Sequence, residues 1–241
     1  MNKPELINFN EITDDDILRW NMEILEYNNR YNNTSELETA NSSVKQKVIE
    51  FANYLLQNVY TKEKMITNDL DEILGDNGYF VELDHRFKER KRLEEKIYHK
   101  VIKDNLDIMK AGNNIYDTLR YTIIFDFDTY TTQVDNYLTE LEDLGYKVVK
   151  FKNRWDDVYY KGINVYLEYN GLKFELQFHT EENYRIKETY SREPYKLTRK
   201  TNAPIDLLTK AYYLRKIYQQ KVHIPPFAIG YEYQSKKNKS L

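Results

Sequence analysis

Residues 159–180 read YYKGINVYLEYNGLKFELQFHT, which is two alternating runs on either side of Asn170-Gly171. An Asn-Gly pair favours a two-residue type I′ turn, because both central residues of that turn need positive φ. A two-residue loop fixes the register of the hairpin and so gathers one apolar face from both strands. The predicted apolar pairs are Tyr169–Leu172, Leu167–Phe174, Val165–Leu176 and Ile163–Phe178.

The opposite face of the same hairpin is predicted to be polar. Glu175, Gln177 and His179 occupy positions i, i+2 and i+4 of the second strand and therefore share that face. Asn164 and Tyr166 lie across from them on the first strand. An antiparallel hairpin with one side in water shows the same alternation. The hairpin alone therefore does not distinguish a solvated face from a functional site.

Composition bounds the class of protein. The 241 residues, with 31% charged residues and a formal net charge of −3, are typical of one large soluble domain or two small ones. No apolar run approaches the roughly 18 residues of a membrane span, and the first residues lack an apolar signal core. The chain has no cysteine, which excludes disulfides and thiolate chemistry. We expect a cytoplasmic protein without a membrane association.

Several common phosphate-binding and metal-binding motifs are missing from the chain. There is no G-x-x-x-x-G-K-[ST] loop, no G-x-G-x-x-G and no H-E-x-x-H, and the chain has only 7 glycines. Any phosphate must therefore be bound by side chains. The 23 tyrosines have two explanations that stay open, which are the bias of AT-rich coding DNA and an aromatic surface on which bases stack.

The order of periodic segments predicts the fold class. Residues 1–77 show helical spacing of apolar residues and form a helical N-terminal region. Residues 78–200 combine strands at 121–125 and 146–151, a helix at 129–144 and the hairpin, and residues 201–241 hold a C-terminal helix and a flexible tail. We predict an α/β (α+β) domain with a mixed β-sheet flanked by helices.

A basic segment precedes the first buried strand. The segment is expected to enter a helix that reaches about Met109. Clustered cations neutralise phosphate charge, so the segment is a candidate polyphosphate site, although a solvated helix face paired with glutamates has the same composition. Its candidate residues are Arg86, Lys88, Arg92 and Lys96. Asp117 and Arg120 follow where the strand begins, and a structural ion pair between them is the simpler explanation.

In this order, the motifs resemble the synthetase domain of the RelA/SpoT family, the alarmone (ppGpp) synthetases. The family's R-x-K motif and second lysine are similar to Arg86-Phe87-Lys88 and Lys96. Its metal-binding aspartate resembles Asp117, and its final E-x-Q motif resembles Glu175-Leu176-Gln177. Its glycine-containing acceptor loop resembles residues 160–164, Tyr-Lys-Gly-Ile-Asn. The resemblance covers roughly residues 80–200 and implies a nucleotidyltransferase-like synthetase fold.

The chain also departs from the family pattern. Arg92 stands where the family commonly has a serine, and Ile163 stands where a tyrosine stacks on guanine. The sequences around Arg120 and around Gly162 are similar to those of the toxin-type branch of small alarmone synthetases. The acceptors of that branch include adenosine nucleotides and the 3′ end of tRNA. No histidine precedes His85, so an upstream alarmone hydrolase domain is not expected.

The resemblance implies a pyrophosphokinase that transfers pyrophosphate from ATP to the 3′-OH of a nucleotide or of tRNA, as a growth-inhibiting toxin with an antitoxin or immunity protein as partner. Asp117 and Glu175 would bind Mg²⁺, with Glu175 as general base and Gln177 as an orienting group. The implied ATP-binding residues are Arg86, Lys88, Arg92, Lys96 and Arg120. The implied acceptor-binding residues are Tyr160, Lys161, Gly162, Asn164, Tyr166 and His179.

Three other functions stay open. The first is a (p)ppGpp-producing small alarmone synthetase, which would keep the chemistry and change the acceptor. The second is a nucleotide-binding interaction module without catalysis, which the altered acceptor loop favours and the intact carboxylates oppose. The third is an RNA-binding helical protein, which the negative net charge disfavours unless a local basic patch exists.

Overall fold

A computed structural model describes residues 11–31, 36–200 and 202–235 of the chain. The chain divides into two compact units. The first unit consists of Met1–Asn33, Trp155–Lys161 and Glu181–Ile224, and the second of Thr34–Arg154, Gly162–Thr180 and Pro225–Leu241. Most of the predicted flexible tail, from residue 236 onward, lies outside the described residues.

The second unit contains a five-stranded sheet with the strand order β1-β2-β5-β4-β3. Strands β2 and β5 run parallel, and the other neighbouring pairs are antiparallel. The strands are β1 (Gly78–Val81), β2 (Arg120–Phe125), β3 (Lys147–Asn153), β4 (Ile163–Tyr169) and β5 (Leu172–His179). The sheet is therefore mixed, and the predicted fold class is confirmed.

The hairpin of β4 and β5 has the predicted register. Tyr169 pairs with Leu172, and the pairing continues without a shift to Ile163 and Phe178. Asn170 and Gly171 have φ values of +47° and +74°, as a type I′ turn requires. The turn chemistry therefore decides which side chains of β5 enter the core and which lie on the other face.

One face of the sheet is the apolar core of the second unit. Helices α3 (Glu63–Leu74) and α6 (Tyr130–Asp143) belong to this side. The ring of Tyr137 on α6 lies 6.0 Å from that of Phe125 and 5.9 Å from that of Phe178, and its hydroxyl donates to the carbonyl of Leu70 on α3 at 2.8 Å. The buried tyrosine thus contributes aromatic packing while its polar atom is satisfied.

A second apolar cluster joins α2 (Ser42–Tyr60), α4 (Arg90–Lys103) and α5 (Ile108–Asn113) within the same unit. The expectation of one helix from the basic segment to about Met109 was wrong, because the chain turns between α4 and α5. Asn105 adopts a φ of +48°, which ends α4, and the Asp107 side chain accepts hydrogen bonds from the first amides of α5. The buried members of the cluster are Leu37, Val48, Phe51, Ala52, Leu56, Leu93, Ile97 and Ile115.

The first unit is helical. It contains α1 (Asp14–Arg30), α7 (Glu181–Ile186), α8 (Arg192–Thr198) and α9 (Ile205–Gln220), with a π-helical turn at Lys187–Ser191. Helix α1 begins with a capping box between Thr13 and Asp16 and buries Trp20 and Ile24. Among the described residues, no helix has the length and apolar character needed to span a membrane.

Candidate active site

The second face of the sheet carries the polar residues of β2, β4 and β5. Glu175 pairs with Tyr166 on β4 and with Arg120 on β2. Gln177 pairs with Asn164 on one side and with Thr122 on the other. Because paired residues point to the same side of a sheet, these six side chains form two adjacent rows. We call this surface the polar face.

Glu175 is held in place by two amides at the centre of the polar face. Its Oε1 accepts hydrogen bonds from Asn164 Nδ2 at 2.8 Å and from Gln177 Nε2 at 3.2 Å. All three side chains are buried. The carbonyl oxygens of Asn164 and Gln177 are also buried and have no hydrogen-bond partner within the described part of the chain. The polar face therefore combines an oriented carboxylate with two acceptors that can still receive a hydrogen bond.

Backbone hydrogen bonds connect the first basic motif to Glu175. The amide of Lys88 donates to Thr118 O at 2.9 Å, and the amide of Arg120 donates to Arg86 O at 2.8 Å. On the other side of the same segment, the amide of Glu175 donates to Leu119 O at 3.0 Å. Residues 86–88 thus extend the sheet next to residues 118–120, instead of starting the helix. This pairing brings together motifs that are far apart in the sequence.

Asp117 lies between two lysines. Lys88 Nζ is 2.8 Å from Asp117 Oδ2, and Lys96 Nζ is 2.6 Å from Asp117 Oδ1. Burial by itself would raise the pKa of Asp117, but the two ammonium groups outweigh it and hold the pKa well below its usual range. Burial lowers the pKa of Lys88, and Asp117 opposes that shift. The charged triad is therefore partly desolvated, which strengthens its interactions with an anion.

Three other predicted phosphate ligands have different surroundings. Arg86 donates through Nε to Glu63 on α3 at 2.7 Å, so the structure does not pair it with Asp117. Arg92 lies on the exposed side of α4, 3.4 Å from the carboxylate of Glu89. Arg120 is next to Glu175 in the sheet and forms no ion pair with any carboxylate of the described residues.

Strand β3 adds cations that sequence reasoning missed. Lys150 pairs with Tyr166 and Lys152 with Asn164, so both side chains belong to the polar face. Lys152 Nζ lies 3.4 Å from the Tyr166 hydroxyl. Burial, followed by the charges of Lys150 and Arg154, lowers the pKa of Lys152. The alternation Lys-x-Lys-x-Arg at 150–154 was the available signal, because residues two apart share a face of a strand.

The charges of both carboxylates, Glu175 and Asp117, act on the hydroxyl of Tyr166. Burial, followed by the charges of Glu175 and Asp117, raises the pKa of Tyr166 to about 12. Its hydroxyl therefore stays protonated at neutral pH and can donate a hydrogen bond. The ring of Tyr166 also lies 5.0 Å from that of Tyr116, between centroids. The polar face thus includes an aromatic pair beside its charged groups.

Gly162 and His179 pack closely at one end of the polar face. Gly162 has a φ of +133°, and a Cβ at this position would lie 2.8 Å from His179 Cε1. His179 is fully buried. Its ring therefore fills the space next to Gly162, and the loop requires a residue without a side chain there.

Tyr160 and Lys161, also predicted to bind the acceptor, belong to the first unit. Lys161 is buried, and its Nζ donates to the carbonyls of Trp155 at 2.9 Å and of Asp157 at 3.2 Å. The ammonium group of Lys161 therefore bonds to carbonyls of the loop that carries it. Asn183 on α7 donates to the carbonyl of Lys161 at 2.9 Å and so anchors the same loop within the unit.

Asp117 and Glu175 are the candidate ligands for a magnesium ion that would be bound mainly by substrate and water. The described residues contain no group of three or more acidic or histidine side chains arranged to hold a metal. Asp117 and Glu175 supply two carboxylates, of which Glu175 has an oxygen that the two amides do not use. Mg²⁺ is commonly bound through one or two carboxylates together with substrate phosphates and several waters.

Comparisons with known proteins give distant structural likeness only. No protein-family model and no curated protein sequence matches the chain. The Streptococcus mutans UA159 protein smu.1046c is 17% identical, with 71% of this chain and 90% of that chain covered and a TM-score of 0.46. A GTP pyrophosphokinase family protein from Streptococcus pneumoniae is 14% identical, with 71% and 87% covered and a TM-score of 0.45.

The small alarmone synthetase 2 of Bacillus subtilis is also similar to this chain. It is 19% identical, with 73% of this chain and 92% of that chain covered and a TM-score of 0.43. At this distance, the activity has to be inferred from the side chains of the chain itself.

Proposed function

We propose that the polar face catalyses the transfer of pyrophosphate from ATP to the 3′-OH of a nucleotide or of an RNA end. The observation that supports this proposal most is the backbone pairing of residues 86–88 with 118–120 and of Arg120 with Glu175. This pairing gathers two carboxylates and several cations from separate parts of the chain. A polyanionic substrate and a hydroxyl nucleophile require such a combination of groups.

The donor would bind through the cations of the polar face. Lys88 and Lys96 would exchange part of their contact with Asp117 for the phosphates of ATP, and Arg120, which forms no ion pair within the described part of the chain, would add a further positive charge. Lys152, whose partial burial strengthens its electrostatic field, would stabilise charge on the transferred group. Asp117 and Glu175 would hold Mg²⁺, which supplies further neutralisation of the phosphate charge when bound.

The acceptor hydroxyl would lie beside Glu175. Glu175 takes its proton while the hydroxyl oxygen bonds to the β-phosphorus of ATP, and the bond between that phosphorus and the α–β bridging oxygen breaks, so AMP leaves. The carbonyl oxygens of Asn164 and Gln177 can accept hydrogen bonds from ribose hydroxyls. Hydrogen bonds from the ribose would give these two buried carbonyl oxygens partners and would position the sugar beside Glu175.

We further propose that the acceptor ends in adenosine. Ile163 is buried in the sheet and supplies no flat aromatic surface on which guanine can stack. Stacking of a base on an aromatic side chain contributes about 1–3 kcal/mol to binding. A free adenosine nucleotide and the 3′ end of tRNA are the two acceptors that this predicts. A growth-inhibiting toxin, controlled by an antitoxin or immunity protein in the cytoplasm, is the biological role that fits modification of such acceptors.

The proposal is tested by incubating the protein with Mg²⁺ and ATP labelled in either the β- or the γ-phosphate. GDP, AMP, ADP and deacylated tRNA are offered separately as acceptors. Transfer of both labels to an adenosine acceptor is expected, whereas transfer of the γ label alone would indicate an ordinary kinase. Label on GDP would contradict the acceptor assignment and retain the enzyme class. ATP binding without transfer to any of the four would favour the non-catalytic module.

A further inference from the structure

A row of contacting aromatic and cationic side chains lies within the first unit. The guanidinium of Arg215 on α9 is 5.2 Å from the ring centroid of Tyr195 on α8 and 5.4 Å from that of Tyr159. The guanidinium of Arg199 is 5.7 Å from the Tyr195 ring, and the Tyr212 ring is 5.5 Å from the Tyr159 ring, between centroids. We call these five side chains the stacking row.

The tyrosines of the stacking row are exposed to solvent. Tyr159, Tyr195 and Tyr212 have 36%, 46% and 42% of their surface accessible. Arginine contacts hold Tyr159 and Tyr195 in defined orientations, because the guanidinium of Arg215 lies over both rings. The row thus holds partly exposed tyrosines in defined positions, and a planar ligand can bind against them with little loss of side-chain entropy.

The two arginines of the row differ from their basic neighbours in how their charge is balanced. Arg192 and Lys196 on α8 form ion pairs with Glu188 and Glu193. In the described ranges of the chain, neither Arg199 nor Arg215 forms an ion pair with a carboxylate.

Arg215 is the more buried of these two arginines, and its hydrogen bonds go to neutral groups. It donates to the carbonyl of Tyr159 at 3.2 Å and to the Thr198 hydroxyl at 3.5 Å. Burial lowers the pKa of Arg215, and the negative charge of Asp157 only partly offsets that shift. A guanidinium that is half-buried and lacks an ion pair has charge available for an anionic ligand.

We propose that the stacking row binds an unpaired polynucleotide strand. The bases would stack on Tyr195, Tyr159 and Tyr212, and the phosphates would be bound by Arg199 and Arg215. Five groups in succession offer more surface than one base covers, which favours a strand over a free mononucleotide. A duplex keeps its base faces stacked internally and would lose the aromatic part of the interaction. The proposal does not depend on pyrophosphate transfer.

The test is direct binding of fluorescein-labelled oligoadenylate 12-mers of RNA and of DNA, measured by fluorescence anisotropy without ATP or Mg²⁺. The wild-type protein is expected to bind both strands, more weakly as salt rises. Tyr195→Ala and Arg199→Ala are each expected to weaken binding by roughly 5-fold or more. Arg192→Ala is the matched control, since Arg192 is an exposed arginine of α8, the helix that ends just before Arg199, and has an ion pair; it is expected to change binding less than Arg199→Ala.

Several results would overturn the proposal. These are absence of binding by the wild-type protein, an equal loss in Arg192→Ala and Arg199→Ala, and equal affinity for a duplex 12-mer. Displacement of the strand by AMP at the same concentration of bases would assign the row to a mononucleotide instead. Glu175→Gln is expected to bind the 12-mer normally. Binding without transfer would therefore reject only the proposed reaction, and transfer without binding would reject only the stacking row.

Discussion

The two faces of β5 are both buried at the centre of the strand and are chemically opposite. Phe174, Leu176 and Phe178 are fully buried on one side, and Glu175 and Gln177 have only 6% and 7% of their surface accessible on the other. Burial therefore does not distinguish core from site in this strand. What distinguishes them is that the polar face retains buried acceptors with no hydrogen-bond partner among the residues that the structure describes, whereas the apolar face has packed rings. Alternate residues of one strand thus stabilise the fold and position the chemistry.

The largest expected effect is on stability, from Phe178→Ala. The ring of Phe178 stacks on Phe125 at 5.6 Å and contacts Tyr137, so its removal leaves a cavity in the centre of the core. We expect the free energy of unfolding to fall by about 3–5 kcal/mol. Urea denaturation measures this change. Lys173→Ala, on the polar side of the same strand, is the control and should cost about 1 kcal/mol or less.

Glu175→Gln tests the polar face of the same strand. The substitution keeps an oxygen for Asn164 to bond and removes the base, so transfer should fall by roughly 10²–10⁴-fold. The free energy of unfolding should change by about 1 kcal/mol or less, because no packing is lost. Activity and urea denaturation are measured on the same preparation, with Glu168→Gln on the same face as control. Equal losses of activity and stability would make Glu175 a structural carboxylate.

Most of this comparison could be predicted from the sequence, because the hairpin is a local structure. Asn170-Gly171 determined the register, and period-two alternation then assigned each side chain of β4 and β5 to a face. Strand β3 could not be assigned in this way. Its pairing shifts between Val148 and Lys150, so that Val148 lies on the apolar side and Lys150 on the polar side, where strict alternation would place them together.

The helix prediction for the basic segment was wrong for a different reason. The composition of the segment is typical of a helix, but residues 86–88 pair with residues 118–120, which lie about thirty positions later in the chain. Long-range backbone pairing of this kind leaves no periodic signal in the segment itself. The contact of Arg86 with Glu63 was also unpredictable, because it depends on where α3 packs.

A smaller effect on the free energy of unfolding is expected from the two glycines at the ends of the hairpin, Gly162 and Gly171. Gly162→Ala combines a φ of +133° with a contact of 2.8 Å to the His179 ring, and should cost about 1–3 kcal/mol of unfolding free energy. Gly171→Ala has a φ of +74° and open space around the added methyl group, so it should cost less, about 1 kcal/mol. Thermal denaturation of both variants measures the difference. A larger loss in Gly171→Ala would show that the His179 contact adjusts without cost.

The smallest effect is expected from Arg92, and comparing it with Lys96 tests how far the polar face extends onto α4. The two residues are one helical turn apart, and both were predicted to bind phosphate. Lys96 contacts Asp117 at 2.6 Å and has 35% of its side chain accessible, whereas Arg92 is 65% accessible and pairs with the exposed Glu89. Lys96→Ala should raise the KM for ATP by roughly 10-fold, as expected for a lost charged hydrogen bond.

Arg92→Ala should change that KM by less than about twofold, because an exposed ion pair contributes little and solvent screens its charge. Steady-state kinetics at two salt concentrations separate a direct contact from a diffuse field, since only the diffuse contribution weakens markedly with salt. Similar, salt-sensitive losses in both variants would mean that the whole basic side of α4 attracts the nucleotide. In that case, the boundary between the polar face and the solvated surface would lie beyond Arg92, and the ion pair with Glu89 would have to open when ATP binds.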